Sequence, residues 1–148
     1  MDKLDLLRRS PLFEMLSPPE LEVVAELSKP RRFAPGAMVF DEGDLGDSLY
    51  VIASGEVEVL RRDASGKPKP IAVLRAPEFF GEMALIDREQ RSAGVRAVGE
   101  VQTLQLTAEN FTTFRKHSRD GFTFVVINIA RVLSARLRET NAKLAARL

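Results

Sequence analysis

The sequence predicts an α+β domain in which helices flank a β-rich middle, and three observations carry that prediction. Near the start, Ser17-Pro18-Pro19-Glu20 combines an N-cap serine, a proline at the first helical position and a glutamate placed to close a capping box. From Arg31 to about Thr107 the pattern changes to short β-rich runs separated by Gly, Pro, Asp and Ser. After Thr107 apolar residues return at three- and four-residue steps. A chain of 148 residues fits one domain with a real core and is too short for two. The expected division of this single domain, 1–148, is N-terminal helices over about 1–30, a β-roll over about 31–107 and C-terminal helices over about 108–148.

Leu4, Leu6 and Leu7 with Leu12 and Phe13 suggest a short amphipathic helix that breaks near Pro11. The helix opened by Ser17 has one apolar face, Leu21, Val24, Ala25 and Leu27, and Pro30 stops it. The β-rich runs are Met38 to Phe40, Ser48 to Ala53, Val57 to Arg61, Pro70 to Leu74, Ser92 to Val98 and Val101 to Leu106. Short strands at this spacing indicate a barrel or sandwich. Asp63-Ala64-Ser65-Gly66 is a hairpin tip, and the adjoining Gly66-Lys67 is no P-loop, because Pro68 follows where Ser or Thr is needed. Thr107 caps a helix over 108–117 that turns at His117-Ser118-Arg119-Asp120-Gly121. The remainder is one long helix, with Phe122, Val126, Ile129, Leu133, Leu137, Thr140 and Leu144 at helical spacing and Arg131, Arg138, Glu139 and Lys143 on other faces.

Composition removes several function classes. Lys and Arg number 22 against 21 Asp and Glu, so the formal net charge of +1 draws the chain to neither nucleic acid nor anionic lipid. No apolar run approaches the ~20 residues of a membrane span, and the N-terminus lacks the apolar stretch and cleavage site of a signal peptide. The expected location is cytoplasmic. The chain has no cysteine, which rules out disulfides, thiol catalysis and thiolate metal sites. The acidic run Asp41 to Asp47 lacks the order of a Ca²⁺ loop and reads as a glycine-containing turn. His117, the one histidine, has no acid partner nearby in sequence, so neither a catalytic nor a metal site is expected. Arg31, Arg32, Arg61 and Arg62 read as solvated strand ends.

One segment carries chemistry. In Phe80-Gly81-Glu82-Met83-Ala84-Leu85, Gly81 lets the backbone turn into a short helix, and the N–H groups of residues 82–84 form an anion site. Arg91 supplies paired donors that match two phosphate oxygens in one plane. The Glu82 carboxylate suits a ribose hydroxyl, and the Ser92 hydroxyl suits a phosphate oxygen. Arg88 stands close enough to compete with Arg91 for that role. The segment therefore reads as a site for a small sugar bearing a cyclic phosphate.

These residues, with Arg91-Ser92-Ala93-Gly94-Val95-Arg96-Ala97, resemble the phosphate-binding cassette of the cyclic nucleotide-binding domain family, which includes catabolite activator proteins, regulatory subunits of cyclic-AMP-dependent kinase and cyclic-nucleotide-gated channels. The block Glu42 to Val57 resembles the family's strand-turn-strand core. The resemblance implies an eight-stranded antiparallel β-roll, jelly-roll-like, with a short phosphate-binding helix and C-terminal lid helices. It implies ligand contacts from Gly81, Glu82, Met83, Ala84, Arg91, Ser92 and Ala93, with Val59 and Leu74 lining the base site. It further implies a non-enzymatic regulatory module without cofactor that binds cyclic AMP in preference to cyclic GMP and reads occupancy out through its C-terminal helices to a downstream protein. Ser92 stands where cyclic-GMP-responsive members often place threonine, and some relatives answer to cyclic di-GMP. Gly94 replaces a bulkier residue, which implies a looser pocket, and the capping residue of the lid is to be sought between Asn128 and Arg138. Val125, Ile129, Val132 and Leu133 form a face broad enough for a homodimer. No helix-turn-helix follows the long helix, so DNA binding by this chain alone is not expected. The alternatives are the N-terminal sensor of a larger transcription factor, channel or kinase regulator, and a ligand-free interaction scaffold.

Overall fold

The computed structural model describes residues 1–86 and 90–148. At the N-terminus α1 (Lys3–Arg9) is followed by a 3-10 turn (Pro11–Phe13) and α2 (Pro18–Leu27). Among the described residues eight strands follow, β1 (Lys29–Phe33), β2 (Met38–Phe40), β3 (Ser48–Ser54), β4 (Glu56–Arg62), β5 (Pro68–Arg75), β6 (Phe79–Phe80), β7 (Gly94–Ala97) and β8 (Val101–Thr107). The short α3 (Met83–Ile86) lies between β6 and β7, and α4 (Ala108–His117) and α5 (Arg119–Ala146) close the chain. The strands form two four-stranded sheets in the orders β1-β8-β3-β6 and β2-β7-β4-β5, with every pair antiparallel. This is the expected α+β jelly roll.

Two strands escaped the sequence pattern. β1 begins at Lys29 and runs through Pro30, which was expected only to stop α2. Its sequence, KPRRF, has no strand alternation, and its pairing with β8 is reinforced by side chains, Arg31 Nη1 donating to Gln105 Oε1 at 3.0 Å and Thr103 Oγ1 to the Arg31 carbonyl at 3.0 Å. β6 has only two residues, Phe79 and Phe80, opposite Val51 and Tyr50, too few to show a period. The run expected from Ser92 to Val98 is a strand only over Gly94–Ala97.

Strand β3 explains how the sheets and helices share one fold. Successive side chains of a strand point to opposite faces. Leu49 and Val51 pack with Leu104 and Leu106 against Leu6, Leu7, Leu12, Phe114 and Ile129 of the helices. Tyr50 and Ile52 point the other way, into a second core with Val57, Leu74, Phe80 and Val95. The sheet containing β3 is thus a partition, with helices on one side and the roll interior on the other. Full burial of each of its large aliphatic residues stabilises the fold by about 1.5–3 kcal/mol.

The helical side is held by local and long-range polar contacts. Ser17 and Glu20 form the expected capping box on α2, and Thr107 with Asn110 forms another on α4. Glu20 also accepts from Ser118 Oγ at 2.5 Å, and Ser118, the N-cap of α5, accepts from Gly121 N–H at 3.0 Å. One carboxylate therefore serves the starts of two helices. Ten residues beyond Ser118, buried Asn128 donates to the carbonyls of Leu12 and Glu14 at 3.0 and 2.9 Å, which pins α5 to the 3-10 turn.

The hydroxyl of Ser118, and then the backbone N–H of Ser17, hold the Glu20 carboxyl below its ordinary range. Because the folded value is depressed, the stabilisation is fully present above the unfolded value of about 4.3 and is lost as pH falls through the folded one. Urea midpoints of the parent and Glu20→Gln, measured from pH 7 down to pH ~3, are expected to differ most above pH ~4.3 and to converge below it; a gap independent of pH would show that the charge of Glu20 is not what holds the two helix starts.

Candidate functional site

The site begins where β6 ends. Gly81 has φ +83°, and a Cβ there would lie 2.8 Å from the Ser48 carbonyl oxygen and 3.0 Å from Arg91 Nη1. Both the left-handed backbone and the close approach require glycine. The chain then turns into α3, with Ala84 N–H donating to the Gly81 carbonyl at 3.2 Å and Leu85 N–H to the Glu82 carbonyl at 3.0 Å. This corrects the expectation that the N–H groups of residues 82–84 are all free for an anion, since that of Ala84 closes the first turn.

Arg91 is fixed at both ends. Its N–H donates to the Asp44 carbonyl at 2.7 Å and its carbonyl accepts from Gly43 N–H at 2.8 Å, clamping its backbone to the 41–47 turn. At the other end Nη2 donates to the Ser48 carbonyl at 2.7 Å and Nη1 to the Gly81 carbonyl at 3.1 Å, while Cζ stands 4.0 Å from the centre of the Phe40 ring. Buried Nε has no hydrogen-bond partner among the described residues. Burial pushes the guanidinium below its ordinary value, against the favourable fields of Tyr50, Asp47, Glu82 and Asp44, yet an arginine in a protein stays charged. No ion pair among the described residues includes Arg91. A half-buried cation solvated by backbone carbonyls therefore faces the cavity, with no ion-pair partner within salt-bridge distance among the described residues.

That cavity, of about 210 Å³, is lined by all nine residues singled out in the sequence, namely Gly81, Glu82, Met83, Ala84, Arg91, Ser92 and Ala93 on the cassette side with Val59 and Leu74 on the second sheet. Phe40, Phe80, Gln90 and Val95 complete it and were not singled out, and Arg136 joins them from the 128–138 stretch in which the capping residue was sought. Phe80 stacks on Tyr50 at 5.2 Å and tilts against Phe40 at 5.9 Å, giving the cavity a rigid aromatic side. Gly94 forms no part of the wall. A Cβ there would meet Met38 Cε at 3.3 Å and the backbone of Phe40 and Glu42 at 3.4 Å, so its small size makes room for β2 and does not loosen the pocket. Arg88 lies outside the described residues.

Arg136 of α5 reaches the cavity mouth. Its Nη1 is 3.5 Å from Glu82 Oε1, its Nη2 donates to the Phe79 carbonyl at 3.4 Å, and its Cζ stands 5.6 Å from the Phe79 ring centre. Glu82 is only 7% exposed, so its carboxylate faces inward to Arg136 and the cavity. Asn128, at the start of the stretch in which the capping residue was sought, turns instead to Leu12 and Glu14. The cavity therefore offers a cation at one end, a buried carboxylate and a second guanidinium at the mouth, and an apolar wall between. Such a set fits a small molecule with an anionic group, a hydroxyl and a flat apolar body. Among the described residues no cluster of His, Asp and Glu is placed to hold a metal ion, and no helix is long and apolar enough to cross a membrane.

Comparison with known proteins agrees with this geometry. The family model of the cyclic nucleotide-binding domain matches residues 30–118. The cyclic AMP receptor protein of Thermus thermophilus is 35% identical over 138 residues, covering 93% of this chain and 62% of the relative. A cAMP-dependent protein kinase regulatory subunit of Blastocladiella emersonii is 32% identical over 106 residues, 72% of this chain and 26% of that protein. The chain thus spans less than two thirds of these relatives. A crystal structure of a cyclic nucleotide-binding domain from Methylobacillus flagellatus superposes with a TM-score of 0.86 at 25% identity, covering 99% of this chain and 82% of that one.

Gly81→Ala combines a strained backbone with a contact to the Ser48 carbonyl that cannot yield cheaply. It is expected to destabilise the fold by about 1–3 kcal/mol, read as a lowered urea midpoint at unchanged slope.

Proposed function

The chain belongs to the cyclic nucleotide-binding domain family, and from that membership we propose that it is a sensor of cyclic AMP whose occupancy is reported through α5. The observation that carries the reading is Arg91, a half-buried cation held on two backbone carbonyls at the end of a cavity with no ion-pair partner among the described residues. The cyclic phosphate binds at Arg91 beside Ser92 and Ala93. Glu82 accepts from a ribose hydroxyl, and the purine lies on Val59, Leu74 and Val95. Cyclic AMP is preferred over cyclic GMP and cyclic di-GMP because both relatives described above are named for cyclic AMP. The protein is a binding module and not an enzyme: His117 sits exposed at the end of α4 and does not line the cavity.

Arg136 supplies the readout. A ligand shifts a conformational equilibrium only by contacting one state more than the other. With α5 in place, Arg136 reaches Glu82 and the Phe79 carbonyl at the cavity mouth, so a nucleotide that lies against all three favours the closed lid. A second reading concerns assembly. The face expected to pair, Val125, Ile129, Val132 and Leu133, is used inside the fold, the first two buried and the other two packed against the same helical core, so a second copy of the chain would sit on the exposed Val126, Leu137 and Leu144 instead. The protein that receives the signal is a further domain or a separate partner.

Calorimetric titration with cyclic AMP, cyclic GMP, cyclic di-GMP and 5′-AMP tests the reading. Saturable binding of cyclic AMP is expected, weakened by about 2–5 kcal/mol in Arg91→Ala, the cost of removing one member of a buried charge pair. Equal affinity of parent and Arg91→Ala would remove Arg91 from the site, and absence of binding would leave the scaffold alternative. Arg136→Ala is expected to keep ligand binding while reducing ligand-induced hydrogen-exchange protection along α5, and sedimentation with and without nucleotide checks the dimer.

A further inference from the structure

We infer that Gly46 is a positioning residue for ligand affinity, because it leaves the space in which the Arg91 guanidinium is seated. The inference rests on the reading of Arg91 as the phosphate anchor. Gly46 lies in the turn between β2 and β3, outside the segment that carries the binding residues. Five other glycines, Gly36, Gly43, Gly55, Gly66 and Gly81, have positive φ and are required by the backbone. Gly46 is not among them, so its conformation is one that other residues adopt.

What Gly46 cannot carry is a Cβ. An atom there would collide with Nε and Cζ of Arg91 and stand 2.6 Å from its Nη2. All three crowding atoms belong to one guanidinium. At Gly94 and Gly121, by contrast, the nearest atoms come from several residues or from backbone, and at Gly99 nothing lies within 4 Å.

The consequence depends on which group yields. The turn around Gly46 is tied down on both sides of the clamp, Arg91 N–H donating to the Asp44 carbonyl and Ala108 N–H to the Asp47 carbonyl at 2.6 Å. The guanidinium is the far end of a flexible side chain, so alanine at Gly46 is accommodated by moving Arg91 and not by unfolding the turn. That movement gives up the bonds to the Ser48 and Gly81 carbonyls and the contact with Phe40. The cation is retained but no longer preorganised.

Gly46→Ala is therefore expected to fold with a near-parental melting temperature and to bind cyclic AMP more weakly by on the order of ten- to a hundredfold, the effect of losing charge-assisted bonds that fix an anchor before binding. In an Arg91→Ala background the same substitution is expected to change the residual affinity less than about twofold, since the seat then has no occupant. Gly99→Ala serves as the neutral control. A readout independent of ligand is the Arg91 Nε–H resonance in a ¹⁵N–¹H spectrum of the free chain, protected from exchange in the parent and shifted and exposed in Gly46→Ala. Parental affinity with an unchanged resonance in Gly46→Ala overturns the inference, as does an equal loss of affinity in the Arg91→Ala background. If the parent binds no cyclic nucleotide, the proposed function fails, while the resonance still decides whether Gly46 seats Arg91.

Discussion

A guanidinium taken halfway out of water must be solvated by something else, and in this protein the Ser48 and Gly81 carbonyls do it. Those two acceptors belong to the first residue of β3 and to the turn that leads into α3, segments far apart in sequence. The backbone of Arg91 is meanwhile clamped to the 41–47 turn. Three pieces of chain are thus registered around one side chain, and the shape of the cavity follows from that registration. Phe40 lies under the cation, and Gly81 is forced into a conformation that aims α3 across the cavity. Moving Arg91 would give up both carbonyl bonds and the contact with Phe40, a ring that packs against the second core.

The cores themselves are separated by the sheet that contains β3. Its two faces pack on different partners through side chains that alternate along one strand, Leu49 and Val51 toward the helices and Tyr50 and Ile52 toward the roll interior. Tyr50 stacks on Phe80, which lines the cavity. The ligand side and the helical side are therefore one residue apart in sequence.

Legibility in the sequence tracked how local the cause was. The capping boxes at Ser17 and Thr107, the Asp63 to Gly66 hairpin and the positive φ of Gly81 depend on a few adjacent residues and could be read directly. β1 could not, because KPRRF becomes a strand only by pairing with β8, more than seventy positions away. The cassette residues and the walls at Val59 and Leu74 were legible through a family pattern, and they do converge on one cavity. Arg136 was not legible, since α5 also carries Arg131 and Arg138 and only the way the helix lies across the roll decides which reaches Glu82. Gly94 was misjudged because a missing Cβ says nothing of direction, and here it faces β2.

The pinning of α5 at Asn128 gives that helix the mechanics of a lever. Its fulcrum is the pair of bonds to Leu12 and Glu14, and Arg136, eight residues on, lies about 12 Å along the axis at a rise of 1.5 Å per residue. Ala146, the last residue of α5, stands about 27 Å from the same fulcrum. A rotation of the helix about that point would move Ala146 a little more than twice as far as Arg136, by the ratio of these two lengths. On the proposed reading, a small shift of Arg136 at the cavity mouth reaches the far end of α5 enlarged, with no joint needed between the two.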